Sequence, residues 1–253
     1  MTAVRAADLD VLRVGRGPRV VLVHGSVVGA ERTWAAQREL ARRWTLWMPN
    51  RPGFGASPPL LRGDFEAEAA PIAELLEDGA HLVGHSYGAV IALFAAAARP
   101  AAVRSLTVSE PGALRLAQGD PAVDALIAEG EELYRHAGDL APRDFLRMFR
   151  TGAHSARDTP AALPPELERG ARHVMAERPP WEADVPVAAL AAAGFPKLAI
   201  SGGHSPAFEA VCDVLARRVG ARRAVIPGRL HTIPATGEPY NRCLEDFLAA
   251  AQA

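Results

Sequence analysis

The chain's pattern predicts an α/β fold with a mostly parallel central sheet flanked by helices. Two observations carry that expectation. Short β-rich runs recur along the 253 residues, several of them apolar without alternation, as in strands covered on both faces. Segments of helix length separate most of these runs, which calls for the crossovers that parallel pairing requires.

The expected strands are "LDVLRV" (9 to 14), "RVVLVHG" (19 to 25), "TLWMP" (45 to 49), "AHLVG" (80 to 84), "VRSLTVS" (103 to 109), "PKLAIS" (196 to 201) and "RRAVIP" (222 to 227). Only "GRGP", residues 15 to 18, divides the first two, a join short enough for a hairpin and hence for an antiparallel start. Helices are expected at 33 to 43, 64 to 77, 87 to 98, 207 to 219 and 238 to 251, the second weakened by Pro71 in its interior. The 87 to 98 segment is apolar all round, so it should lie buried against the sheet.

Residues 112 to 190 break the alternation. They hold no convincing strand but three helical stretches, near 121 to 137, 142 to 150 and 165 to 177, punctuated by seven prolines from Pro142 to Pro186. This segment reads as an inserted helical cap, with 1 to 111 and 191 to 253 as the core. Trp181 and Phe145 are the candidates within it for lining a pocket.

Composition excludes several classes of partner. The apolar fraction is 49%, the charged fraction 23% and the net charge −1, so nothing points to nucleic acid or an anionic membrane. The opening "MTAVRAADLDVLRVG" lacks the apolar core of a signal peptide, and no uncharged run approaches the roughly 18 residues of a spanning helix. A cytoplasmic setting is expected, with Cys212 and Cys243 as free, packed thiols. Oligomeric state is left open.

The chemistry gathers at "HLVGHSYG", a strand followed by Gly84-His85-Ser86-Tyr87-Gly88 and then a helix. Composition alone would produce about 0.06 accidental G-x-S-x-G matches in this chain, so chance is a poor explanation. At such a corner the serine takes a strained backbone conformation, and small residues two before and two after let the chains pass. A serine hydroxyl is a weak nucleophile and needs a base within hydrogen-bond reach, itself oriented by a carboxylate. Of eight histidines, His231 alone follows the last strand and precedes the final helix, where a returning loop can reach the corner. His24 and His85 belong to turn motifs, His81 begins a strand, and His136, His154 and His173 fall in the cap.

Four motifs in order, "VLVHGS", "PNRPGFGAS", "GHSYG" and "PGRLHTIP", resemble the oxyanion loop, glycine-rich loop, nucleophile elbow and histidine loop of the α/β-hydrolase superfamily. The resemblance implies Ser86 as nucleophile, His231 as general base, and the backbone N–H groups of Tyr87 and Ser26 as oxyanion donors. It departs from the pattern at one point: in "AISGGHSPAF", Ser205 stands where many members carry the acid. Branches such as haloalkane dehalogenases and some lipases place the acid one strand earlier, which here selects Glu110 in "LTVSEPGAL", with Glu209 and Asp213 as alternatives. His204, in the same "GGHSP" turn, lies near the site or stabilises the turn.

The expected function is hydrolysis of an ester, lactone or thioester of an apolar small molecule through an acyl-enzyme. The alternatives on the same fold are a non-catalytic small-molecule receptor, a cofactor-free cyclase or lyase, and a carbon–carbon bond hydrolase. No cofactor is expected, since "RPGFGAS" lacks the lysine and hydroxyl residue of a phosphate loop and no dinucleotide fingerprint follows the first strand. No metal is expected either, because no convergent His or Cys spacing occurs.

Overall fold

The computed structural model describes residues 4–152 and 159–252. His154, one of the histidines expected in the cap, lies outside the described residues. Seven strands form one sheet: β1 (Val11–Val14), β2 (Arg19–Val23), β3 (Thr45–Pro49), β4 (Ala80–His85), β5 (Val103–Ser109), β6 (Lys197–Ser201) and β7 (Arg222–Val225). Their order is β1-β3-β2-β4-β5-β6-β7, parallel throughout except for β1 against β3.

The antiparallel start is therefore present, but not as the expected hairpin. β1 pairs with β3, with Val11 opposite Pro49, rather than with β2. The reason lies in residues 15 to 18, which cross the beginning of β3 instead of folding back. Thr45 N–H donates to the Pro18 carbonyl at 2.9 Å and its hydroxyl to the Gly17 carbonyl at 2.7 Å. Those bonds seat β3 in the slot beside β2, and β1 is left as the edge strand.

Side chains of β2 alternate between two cores, as the period of a strand requires. Val21 and Val23 join a core formed with α2 (Phe65–Leu75), α3 (Tyr87–Ala98), α7 (Val187–Ala192) and α8 (Pro206–Val219), whereas Val20 and Leu22 join α9 (Glu238–Ala250) on the other face. A β4 buried at all six positions and an α3 buried along most of its length follow directly, and explain why neither sequence segment alternates.

Two helices depart from expectation. The 33 to 43 segment divides into a single turn, α1 (Ala30–Thr33), and a 3-10 stretch, Ala36–Arg42. Conversely α2 runs through Pro71 unbroken. Asp64 caps it by accepting from Glu66 N–H at 2.9 Å and Ala67 N–H at 3.1 Å, and Phe65, Ile72 and Leu75 bury its inner face. Packing thus offsets the hydrogen bond that proline removes.

Between β5 and β6 the chain forms α4 (Pro121–Arg135), α5 (Pro142–Gly152) and α6 (Pro165–Ala176), close to the three helical stretches expected there. They share a separate small core of Leu133, Phe145, Leu146, Leu167, Ala171 and Val174, joined by Val27 from the loop after β2. No helix among the described residues is long and apolar enough to cross a membrane.

Candidate active site

Ser86 sits where β4 turns into α3, with φ 56° and ψ −120°. A non-glycine residue held there costs about 1–3 kcal/mol, so its surroundings must enforce it. Close packing at the flanking glycines does so: a Cβ on Gly84 would come within 2.5 Å of the Ala89 Cα, and one on Gly88 within 2.3 Å of the His24 carbonyl oxygen. Ser86 N–H donates to the Ser109 carbonyl at 2.9 Å, tying the corner to the end of β5.

His231 arrives on the loop between β7 and α9. Its Nε2 is 2.8 Å from Ser86 Oγ, and its Nδ1 is 3.1 Å from Glu110 Oε2. With Glu110 ionised, Nδ1 carries the proton and donates to the carboxylate, leaving Nε2 to accept from the serine hydroxyl. The structure thus brings Ser86, His231 and Glu110 into one hydrogen-bonded chain. His85 steadies the loop as well, its Nε2 donating to the His231 carbonyl at 2.8 Å.

Glu110 directly follows β5 at φ 48°, fully buried. Its Oε1 accepts from Gly202 N–H at 2.6 Å, and its Oε2 lies 3.7 Å from His204 Nε2. Burial pushes its pKa up to about 7, against the opposing pull of His204 and of the Gly202 N–H. The two alternative acids are committed elsewhere. Glu209 accepts from Ser201 Oγ, Gly203 N–H and Arg223, and Asp213 from Arg223 Nε at 2.8 Å. Ser205 is buried at the start of α8.

The loop after β2 closes the site from the other side. Ser26, with Gly25, lines a small recess of about 80 Å³ together with Ser86 and His231. Tyr87 opens α3, so its N–H has no carbonyl to meet within that helix. A larger cavity of about 810 Å³ extends from Ser86 and His231 under the helices between β5 and β6, walled by Leu126, Tyr134, Phe149, Trp181 and Phe208. Trp181 is in that wall. Phe145 instead packs behind it, its ring 5.5 Å from that of Tyr134.

Several contacts near the site are not readable from the motifs, although Arg51 and His24 lie within "PNRPGFGAS" and "VLVHGS". Arg51 is fully buried, its Nε 2.7 Å from Glu68 Oε2 and its Nη2 3.2 Å from Glu177 Oε2. Glu177, from the end of α6, also accepts from Ser26 Oγ. Burial pushes the Glu177 pKa up to about 7, with Arg51 opposing. His24, read as a turn residue, accepts from Arg51 N–H at 2.9 Å through Nε2 and donates from Nδ1 to the Gly25 carbonyl at 2.8 Å. Of the histidines expected in a cap, His136 is an exposed partner of Glu132, and His173 packs edge-on against Phe54.

Comparison with known proteins agrees with this architecture. A pimeloyl-[acyl-carrier protein] methyl ester esterase from Methylococcus capsulatus is 32% identical over 197 residues, covering 70% of this chain and 67% of its own length. Its counterpart from Chromobacterium violaceum is 33% identical over 167 residues, covering 63% and 64%. The match therefore spans about two thirds of each of these relatives. A solved thermophilic esterase from Thermogutta terrifontis superposes with a TM-score of 0.65 over 97% of this chain and 94% of its own, at 24% identity, a likeness of fold. Residues 20–248 match the model of the alpha/beta hydrolase family, nearly the whole sheet and every segment around Ser86, and the chain belongs to that family.

Proposed function

We propose that the protein hydrolyses carboxylic esters of apolar acyl groups through a covalent acyl-enzyme on Ser86. The observation that carries this reading is the hydrogen-bonded chain from Ser86 Oγ through His231 to Glu110, placed where an apolar cavity meets a strained strand-to-helix corner. The Methylococcus and Chromobacterium relatives are methyl ester esterases by name, which supports ester chemistry over the receptor, cyclase and carbon–carbon readings.

In the first half-reaction Ser86 Oγ attacks the ester carbonyl while His231 Nε2 takes its proton. Negative charge develops on the carbonyl oxygen and is met by the N–H groups of Tyr87 and Ser26. What supports Ser26 in that role is the orientation of its peptide. The Gly25 carbonyl accepts from His24 Nδ1 at 2.8 Å and from Arg51 Nη1 at 3.1 Å, and in a trans peptide the following N–H points the opposite way. What supports Tyr87 is its place at the positive end of α3. The intermediate collapses as His231 returns the proton to the departing alkoxide. Water then attacks the acyl-enzyme with His231 again as base, releasing the carboxylic acid and the free serine.

The helices of residues 112 to 190 act as the cap. They roof the larger cavity, which takes the acyl chain, and Glu110 orients His231 and stabilises the imidazolium that forms. A panel of p-nitrophenyl esters tests the reading. Wild-type protein should release p-nitrophenol and Ser86→Ala should not; equal rates from the two proteins would overturn it.

A further inference from the structure

The buried cluster beside the oxyanion loop is outside the proton-transfer chain, yet it joins the cap to that loop at two points. At the first, Glu177 receives the Ser26 hydroxyl with one oxygen and Arg51 Nη2 with the other, the latter at 3.2 Å. Arg51 in turn donates to the Gly25 carbonyl at 3.1 Å and pairs with Glu68 through two nitrogens, at 2.7 and 3.1 Å. At the second, α6 presses its backbone onto the same loop: a Cβ on Gly170 would lie 1.8 Å from the Val27 carbonyl oxygen. Val27 itself is held at φ 77°, a conformation a branched residue does not adopt unaided.

The far side of α6 is anchored to the core. Arg178, next after Glu177, donates its N–H to the Gly63 carbonyl at 2.7 Å, and its side chain reaches Asp64 and Glu66 at the start of α2 at 3.3 and 2.9 Å. Glu177 is therefore fixed by groups on both sides before it touches Ser26. A carboxylate so fixed holds the Ser26 side chain, and with it the plane of the peptide whose N–H meets the developing charge.

We propose that Glu177 is a positioning residue that transmits the seating of the cap to the oxyanion donor Ser26. The idea rests on the serine hydrolase reading above. Glu177 makes no contact with the reacting atoms; its effect passes through the Ser26 hydroxyl. Losing an oxyanion donor costs about 10²–10³ in kcat, and displacing one by about 1 Å costs up to about 10². A free Ser26 side chain should accordingly lower kcat by about 10- to 100-fold with KM changed less than about twofold, since the loss falls on the transition state.

The test is a double-mutant cycle on p-nitrophenyl ester hydrolysis with Glu177→Ala, Ser26→Ala and their combination, each assayed well below its own Tm. The two single variants should lose kcat alike, and the double variant should fall no further than about twofold below the worse single one. Glu177→Gln, whose amide oxygen faces Arg51 while its N–H donates to Ser26 Oγ, should recover most of the rate. A folded Glu177→Ala protein with wild-type kcat, or losses that multiply in the double variant, overturns the inference. Should Glu177→Ala not fold, Ser26→Ala with unchanged kcat does so by itself. Reaction with a fluorophosphonate separates the two levels: an unlabelled Ser86 in the wild type defeats the serine hydrolase reading, whereas labelling at equal rates in wild type and Glu177→Ala defeats only the role of Glu177.

Discussion

Glu110 reaches His231 from the strand next to the corner that holds Ser86, its Oε2 3.1 Å from Nδ1. The loop after β6 contributes the Gly202 N–H, which donates to Glu110 Oε1 at 2.6 Å, and His204, whose Nε2 lies 3.7 Å from Oε2. That loop thus helps to hold the carboxylate that meets His231.

Glu110→Gln should slow ester turnover by on the order of 10⁴, because an amide favours the wrong imidazole tautomer and cannot stabilise imidazolium. Glu209→Gln and Asp213→Asn should leave kcat within about threefold of wild type, since their partners are Ser201, Gly203 and Arg223. Steady-state kinetics on one p-nitrophenyl ester decides between them; the reverse order of effects would move the acid to α8.

The activity should also follow the ionisation of Glu110. Its pKa is pushed up to about 7 by burial, and the orienting role needs the carboxylate, so kcat/KM should climb as pH rises through about 7 and level off above it. His204 pulls that pKa down, so His204→Gln should displace the rising limb to higher pH. A pH–rate profile of both proteins measures this, with an unmoved limb as the contrary result.

Stability should peak near pH 6.5. Burial depresses His24 well below its ordinary value, His81 to about 4 and His173 to about 3, so between those values and 6.5 the unfolded chain binds the extra protons and stability rises with pH. Glu110 and Glu177, both raised to about 7, act in the opposite sense: the native state holds the extra protons above about 4.5, and their contribution is lost as pH rises through 7. Among these five groups the three histidines outweigh the two carboxylates below 6.5, and between 6.5 and about 7.5 the carboxylates alone still titrate. Urea midpoints from pH 5 to 8 should show the maximum and a plateau beyond about 7.5.

Arg51→Met should destabilise the fold by about 3–5 kcal/mol, because it leaves Glu68 and Glu177 buried without their shared cation. The loss should be smaller in a Glu177→Gln background, where one of the two stranded charges is gone. Denaturant unfolding of the single and double variants gives the comparison.

The larger cavity predicts a chain-length dependence. Each acyl methylene moved from water into it contributes about 0.8 kcal/mol, or about fourfold in kcat/KM, until the cavity is filled. Short p-nitrophenyl esters should therefore rise in kcat/KM from acetate upward. A flat series would place the acyl chain outside that cavity.

Much of this is legible in the sequence, and what is not has a physical reason. The 87 to 98 helix and the strands around it are recoverable because an apolar run bounded by glycine has few other ways to bury itself. The glycines flanking Ser86 are readable because their constraint is local. The partner of β1 is not, because strand pairing depends on contacts between residues 17 and 45 that leave no periodic trace. Arg51, Glu68 and Glu177 come from three separate segments; Arg51 lies in the "PNRPGFGAS" motif, but Glu68 and Glu177 alone each look like an ordinary solvated charge, so their pairing with it leaves no trace. His85 and His24 read as turn residues because their work is done on the carbonyls of His231 and Gly25.

The central claim is a covalent acyl intermediate on Ser86, and rapid quenching of the protein with an ester substrate tests it most directly. Mass spectrometry of the quenched digest should find the acyl group on the peptide containing Ser86, with a burst of alcohol release matching the amount of enzyme. Turnover with no adduct at Ser86 and no burst, or undiminished turnover by Ser86→Ala, would contradict it.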